Sequence, residues 1–156
     1  MQVHFKDIEH IILETLDMGK AFKIFPNGIS MEPLIHQGRD AVFISKPEGR
    51  LKKYDIAFFK RENCEYVLHR VIKVKHDSYN FCGDNQWQVE RGIKDSQIIG
   101  IVTKLEINGK TIETNDEDYI KYVRTRVNSR VRRNFLPIVE NFFRKIKFKL
   151  KRIISK

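Results

Sequence analysis

The sequence predicts a mainly β protein: a coiled, partly closed β-sheet core over residues 21–115, an N-terminal amphipathic helix over 1–20, and a basic helical tail over 116–156. Three observations carry this. Short runs rich in branched and aromatic residues recur through the middle of the chain, clusters of Gly, Asp and Asn separate them, and apolar spacing changes to three or four residues at both ends. A chain of 156 residues with 41% hydrophobic content supplies one core.

Taken in order, the first element is the helix from Met1 to Leu16, where Phe5, Ile8, Ile12 and Leu16 form a stripe with charges between them. This segment has no run near the ~20 apolar residues that a bilayer span needs, and it lacks the apolar centre of a secretory signal. It therefore predicts a cytoplasmic protein. The strands follow at Ala41 to Ser45, Ile56 to Lys60, Glu65 to Lys75, Tyr79 to Cys82, Ile98 to Ile107 and Lys110 to Glu113. Cys64 and Cys82 are expected to be reduced thiols rather than a disulfide framework, and no Cys/His cluster has metal-ligand spacing. No cofactor is expected.

Three segments carry chemistry. Asn27-Gly28-Ile29-Ser30-Met31-Glu32-Pro33-Leu34 places a serine in a turn: Gly28 permits backbone angles closed to other residues, and Pro33 stiffens the exit and restricts Glu32. A serine hydroxyl is a poor nucleophile near neutral pH, so it needs a base within about 3 Å. His69 is the candidate, in the β-rich run Tyr66 to Val74, where Val67, His69 and Val71 share one face and Leu68, Arg70 and Ile72 the other. Asp84 follows Gly83 in a turn, where a carboxylate orients an imidazole or caps the turn. Each residue alone has an ordinary structural reading; their combination and order point to a hydrolytic serine site. His36, six residues after Ser30, is the reserve base.

With these residues in place the chain resembles the signal peptidase and LexA-type serine peptidase clan. The resemblance lies in Gly28-Ile29-Ser30-Met31-Glu32-Pro33 as nucleophile box, and in Gly38-Arg39-Asp40-Ala41-Val42 and Lys53-Tyr54-Asp55-Ile56-Ala57-Phe58-Phe59 as two Gly-Asp strand boxes. His69-Arg70-Val71, Gly83-Asp84-Asn85 and Ile98-Ile99-Gly100-Ile101-Val102 complete it. The histidine at 69, where leader peptidases carry a lysine, is similar to the endoplasmic-reticulum and archaeal-type branch.

The resemblance implies Ser30 as nucleophile, His69 as general base, and either Asp84 or Glu90, six positions later, as the acid that orients the imidazole. Gly28 stands where leader peptidases often carry a hydroxyl, so the oxyanion would rest on backbone N–H groups within the turn that Gly28, Ser30, Met31 and Pro33 shape, Pro33 having none of its own. Arg39 is inserted into the first Gly-Asp pair and Tyr54 replaces the glycine of the second. The long apolar helix that precedes the serine box in a typical signal peptidase is missing.

The charge sits at the far end. Residues 121–156 hold thirteen Lys or Arg and one acid, Glu140, so this segment carries +12 where the whole chain carries +10. Its apolar residues, among them Phe135, Phe142 and Phe143, recur at helical steps, with Arg144, Lys145, Lys147, Lys151 and Arg152 largely on the other side. Such a helix suits an anionic membrane surface at the inner face of the membrane. Docking on the protein's own core is the alternative, and nucleic acid the weakest of the three, because the residues before Phe22 are too few for a helix-turn-helix domain.

The functional expectation is a serine endopeptidase that removes a leader or signal segment from a precursor. A binding module that recognises such a leader without cutting it is the alternative, and a nucleic-acid-bound regulator a third.

Overall fold

The alternating apolar runs pair with one another into a single antiparallel sheet. The structure, a computed structural model, describes residues 5–125, and the chain divides into two compact units, Met1–Lys121 and Tyr122–Lys156. The basic tail from 126 onward, with the residues expected to meet a membrane surface, lies outside the described residues. The sheet belongs to the first unit.

The elements of that unit are a helix α1 (Phe5–Asp17) and strands β1 (Phe22–Ile24), β2 (Ala41–Ser45), β3 (Ile56–Lys60), β4 (Tyr66–Val74), β5 (Tyr79–Cys82), β6 (Glu90–Ile93), β7 (Ile98–Ile107) and β8 (Lys110–Glu113). Six of the eight strands fall where β-rich runs predict them; β1 and β6 do not announce themselves. β1 is only three residues long, and β6 reads Glu-Arg-Gly-Ile, with neither branched alternation nor an apolar run. A further helix starts at residue 117.

The sheet runs β1-β2-β7-β3-β4-β5-β6, with β8 paired to the second half of β7. It is open, which corrects the expected partial closure: β1 and β6 lie at opposite ends of the order and share no ladder. Pro26, two residues past β1, has no N–H with which to extend that edge. Register irregularities at Phe43/Ile44, Phe58/Phe59, Val71/Lys73 and Tyr79/Asn80 mark where the strands bend.

One core lies on the face formed by Ala57 and Phe59 of β3, Val71 of β4, and Tyr79 and Phe81 of β5, closed by Leu51 and Ile93. Phe59 and Phe81 stack with ring centroids 4.6 Å apart. Helix α1 packs on the sheet through Ile12 and Leu16, both buried. Gly100 of β7 makes room for it, since a Cβ there would stand 3.3 Å from Leu16 Cδ1 and 3.0 Å from the Ser45 carbonyl. At its other end Phe5 meets Phe58 edge-on at 5.0 Å, and Glu9 accepts hydrogen bonds from Lys60 and the Tyr66 hydroxyl, each 2.7 Å. No helix among the described residues is long and apolar enough to cross a membrane.

Candidate active site

Strand β4 presents two consecutive polar residues to opposite sides of the sheet. His69 shares the core face with Val67 and Val71, and Phe59 meets its ring edge-on at 6.4 Å. Arg70, pointing the other way, is fully buried at 1% exposure. Each has its own carboxylate.

His69 Nδ1 lies 2.6 Å from Glu90 Oε1 on β6. Glu90 Oε2 in turn accepts a hydrogen bond from Arg61 Nε at 2.7 Å, and Arg61 reaches Glu65 with Nη1 at 2.6 Å. Burial would push the Glu90 carboxyl up, but the hydrogen bonds from His69 and Arg61 outweigh it and hold it down at about 2. An ionised carboxylate only accepts, so Nδ1 must carry the hydrogen of this bond. In the neutral ring Nε2 is then the acceptor.

Asp84 is bound elsewhere. Its two oxygens accept a fork from Arg70, Nε to Oδ1 at 2.8 Å and Nη2 to Oδ2 at 2.6 Å, while Arg70 Nη1 donates to the Tyr54 carbonyl at 3.0 Å and the Tyr119 hydroxyl at 3.3 Å. Burial alone would depress the Arg70 guanidinium, and the hydrogen bonds to Asp84, with its charge, more than reverse this. Of the two candidate orienters of His69, the one in contact is therefore Glu90; Asp84 pairs with the guanidinium on the far side of the strand.

The serine turn is built by its flanks. Gly28 takes φ +88°, in the left-handed region open to glycine, and its N–H donates to Gln37 Oε1 at 2.7 Å. That N–H is committed and is not available to an oxyanion. After the turn Met31 and Ile35 are buried, at 3% and 1% exposure, and the Ile35 N–H donates to the Met31 carbonyl. The peptide between Glu32 and Pro33 is cis. Ser30 is left half-buried at the top of this anchor.

The turn after β5 ties the serine turn to β4. The Asn85 N–H donates to the Ser30 carbonyl at 2.8 Å, and Asn85 Nδ2 to the Ile29 carbonyl at 3.2 Å. Gly83 sits where the parts converge: a Cβ on it would come within 2.6 Å of the Ser30 carbonyl oxygen and 3.1 Å of His69 Nε2. Only a hydrogen fits between the serine turn and the imidazole there. The Nε2 end of the ring thus faces the Ser30 turn.

Ser30 and His69 line one cleft of about 470 Å³, whose other walls include Ile29, Met31, Phe58, Tyr66, Leu68 and Phe5. Beside it runs the first part of β4. The β4–β5 ladder starts at Arg70, so among the described residues Tyr66–His69 pair only with β3.

The other predicted positions have structural places. Asp40 is fully buried, accepts N–H groups of His36 and Asn108 at 2.7 and 2.9 Å, and takes both Nε and Nη2 of Arg39 at 2.8 Å. The Arg39 hydrogen bonds hold its carboxyl well below the usual range, against burial. Arg39 thus serves the aspartate beside it. His36 Nδ1 accepts from Arg39 at 2.7 Å, which occupies the reserve base away from the cleft. Tyr54 adopts φ +85°, a left-handed conformation that favours glycine. Cys64 is exposed and Cys82 is buried, its thiol donating to the Gln88 carbonyl at 2.7 Å. Among the described residues no group of His, Cys, Asp and Glu is arranged to hold a metal ion.

Arg61 and Phe5 are site residues that the sequence does not single out. Arg61 is separated from Glu90 by 29 positions, and nothing local marks the pair. Phe5 reads simply as the first apolar position of a helix. No protein-family model matches the chain, and no curated protein matches it.

Proposed function

We propose that the chain is a serine endopeptidase of the signal peptidase and LexA type, acting on a leader or signal segment of a precursor through Ser30 and His69. The observation that carries this reading is the imidazole of His69, held by Glu90 on Nδ1 and turned with Nε2 toward the Ser30 turn across Gly83. The antiparallel sheet, with its Asp40 and Tyr54–Asp55 turns at the strand starts, supports it.

In this reading an extended peptide adds to the edge of β4 at Tyr66–His69, supplying the backbone hydrogen bonds that β5 does not make there. His69 Nε2 takes the Ser30 proton and the alkoxide attacks the peptide carbonyl. Glu90 stabilises the imidazolium that forms, and the proton passes to the leaving amine. Water, deprotonated by the same nitrogen, then releases the acyl-enzyme. The oxyanion is received by backbone N–H groups of the serine turn other than Gly28. The partner proposed for the tail is an anionic membrane surface, on the charge and apolar spacing of its sequence.

The test compares new protein N-termini in cells that carry the native chain or Ser30→Ala. Termini that vanish in the variant establish the peptidase and name its precursor, with cleavage of that precursor in purified form falling by roughly 10³-fold or more. An unchanged set, with the variant folded and equally abundant, moves the reading to a module that binds leaders without cutting them.

A further inference from the structure

The turn after β5 brings a further polar group to the space between Ser30 and His69. Gly83-Asp84-Asn85-Gln86 closes on itself, the Gln86 N–H donating to the Gly83 carbonyl at 3.1 Å, so the fourth residue of the turn folds back over the first. Glycine at the first position leaves that approach open. The point where a Cβ of residue 83 would stand is 3.1 Å from Gln86 Oε1 and 3.1 Å from His69 Nε2, with the Ser30 carbonyl oxygen at 2.6 Å. Three polar atoms therefore meet on one side of Gly83. Gln86 is half-buried and lines the same cleft as Ser30 and His69.

All three of these atoms are acceptors. The Ser30 carbonyl is supplied, since it takes the Asn85 N–H at 2.8 Å. His69 Nε2 accepts because the ring's hydrogen is on Nδ1, facing Glu90, and an amide oxygen can only accept. Among the described residues neither Nε2 nor Gln86 Oε1 is given a donor. The two stand no more than about 6 Å apart, a span that one bridging water covers with hydrogen bonds of ordinary length. Water is the smallest molecule that donates to two acceptors at once and keeps a lone pair for attack.

We infer that Gln86 is a catalytic residue of the second half of the reaction, in which its side-chain oxygen holds the water that His69 activates. This rests on the peptidase reading and assigns the place at which the site takes up water. One hydrogen of that water points to His69 Nε2 and the other to Gln86 Oε1, which fixes the rotation of the molecule and turns its lone pair toward the acyl carbon on Ser30 Oγ. The water oxygen bonds to that carbon as one proton passes to Nε2. The bond from the carbon to Ser30 Oγ then breaks, and the Nε2 proton goes to the departing serine oxygen. The hydrogen held by Oε1 stays with the acid that is released. In the first half of the reaction the attacking oxygen is that of Ser30, and Gln86 has no hydrogen to hold. The side chain therefore acts on one half and not on the other.

The experiment uses the full chain and p-nitrophenyl acetate, an activated ester that reports the two halves separately. p-Nitrophenol appears in a burst as Ser30 is acetylated and then at a steady rate set by hydrolysis of the acetyl-enzyme, which intact-mass spectra follow directly. Ser30→Ala identifies the part of the burst that belongs to the site. Gln86→Met keeps the length of the side chain and removes the acceptor. The expected result in that variant is a burst rate within about threefold of native and acetyl-enzyme hydrolysis slower by about 10–100-fold, so that kcat and KM fall together and kcat/KM is held. Gln86→Glu keeps an oxygen acceptor and should hydrolyse the acetyl-enzyme at least about 5-fold faster than Gln86→Met. Hydrolysis at the native rate in Gln86→Met overturns the role of Gln86, and so does an equal slowing of both halves, which is what a displaced turn would produce. A native chain with no Ser30-dependent burst also overturns it, while the comparison of protein N-termini decides the peptidase reading on its own.

Discussion

His69 and Arg70 are neighbours in sequence, each holds a carboxylate, and the two pairs do opposite things. Arg70 and Asp84 are closely satisfied: a bidentate fork, a backbone carbonyl and a phenol take four of the five guanidinium N–H groups, and both side chains are almost wholly out of solvent. His69 and Glu90 are left unfinished. One nitrogen of the ring is bound by an ionised carboxylate that Arg61 steadies, and the other looks across Gly83 at a half-buried serine turn. A buried polar cluster with nearly every group satisfied serves to hold a shape, whereas one that keeps a free acceptor beside a cleft is positioned for proton transfer. Strand alternation is the whole cause of the separation.

Breaking the Arg70–Asp84 pair should have the largest effect. Asp84→Ala leaves the Arg70 guanidinium buried without its counter-charge, and the expected loss is about 3–5 kcal/mol of stability, seen as a fall in the chemical-denaturation midpoint. A double variant Arg70→Met with Asp84→Leu should recover most of it. A single variant within ~1 kcal/mol of the native chain would contradict the structural role.

In the proposed peptidase, disturbing the other pair should break activity instead. Glu90→Gln keeps the size of the side chain, so the fold should survive, while kcat falls roughly 10²–10³-fold as the ring loses its fixed tautomer and the imidazolium its charge partner. The same variant sharpens the pH behaviour. The Glu90 carboxyl is lower in the folded chain than its ordinary value of 4.5, so its stabilisation is present above 4.5 and lost as pH falls from there to about 2. Denaturation midpoints taken across that window should decline by roughly 2 kcal/mol more in the native chain than in Glu90→Gln.

Gly83→Ala tests the junction between the two. A methyl 2.6 Å from the Ser30 carbonyl cannot be met by a side-chain rotation alone, so the serine turn and the imidazole must separate. Activity should drop by about 10²-fold, the scale of a displacement near 1 Å at a reacting centre, with a smaller loss of stability. Full activity in this variant would mean that Ser30 and His69 do not work across Gly83. The smallest effect is expected at Tyr54→Gly. Relief of the left-handed backbone is worth about 1 kcal/mol, partly offset by the lost contact between the ring and Lys53 at 5.1 Å, so the melting temperature should hold or rise by a few degrees. A clear fall would show that the ring matters more than the backbone.

The sequence by itself determined the β class, most of the strand positions and the N-terminal helix, because side-chain periodicity and turn chemistry are local and are written within a few consecutive residues. It also placed Ser30, His69 and both acids on short segments whose residue types suit their positions. It did not decide between Asp84 and Glu90. That choice depends on which face of β4 each carboxylate reaches from β6 or from the turn after β5, and the pairing of β5 with both β4 and β6 sets it. Arg61 and Phe5 are hidden for the same reason: each acts on a residue brought to it by the sheet, across 29 positions for Arg61 and Glu90 and more than fifty for Phe5 and Phe58. Local rules are carried by the chain, but which acid meets which base is a non-local contact, and only the assembled sheet brings those groups together.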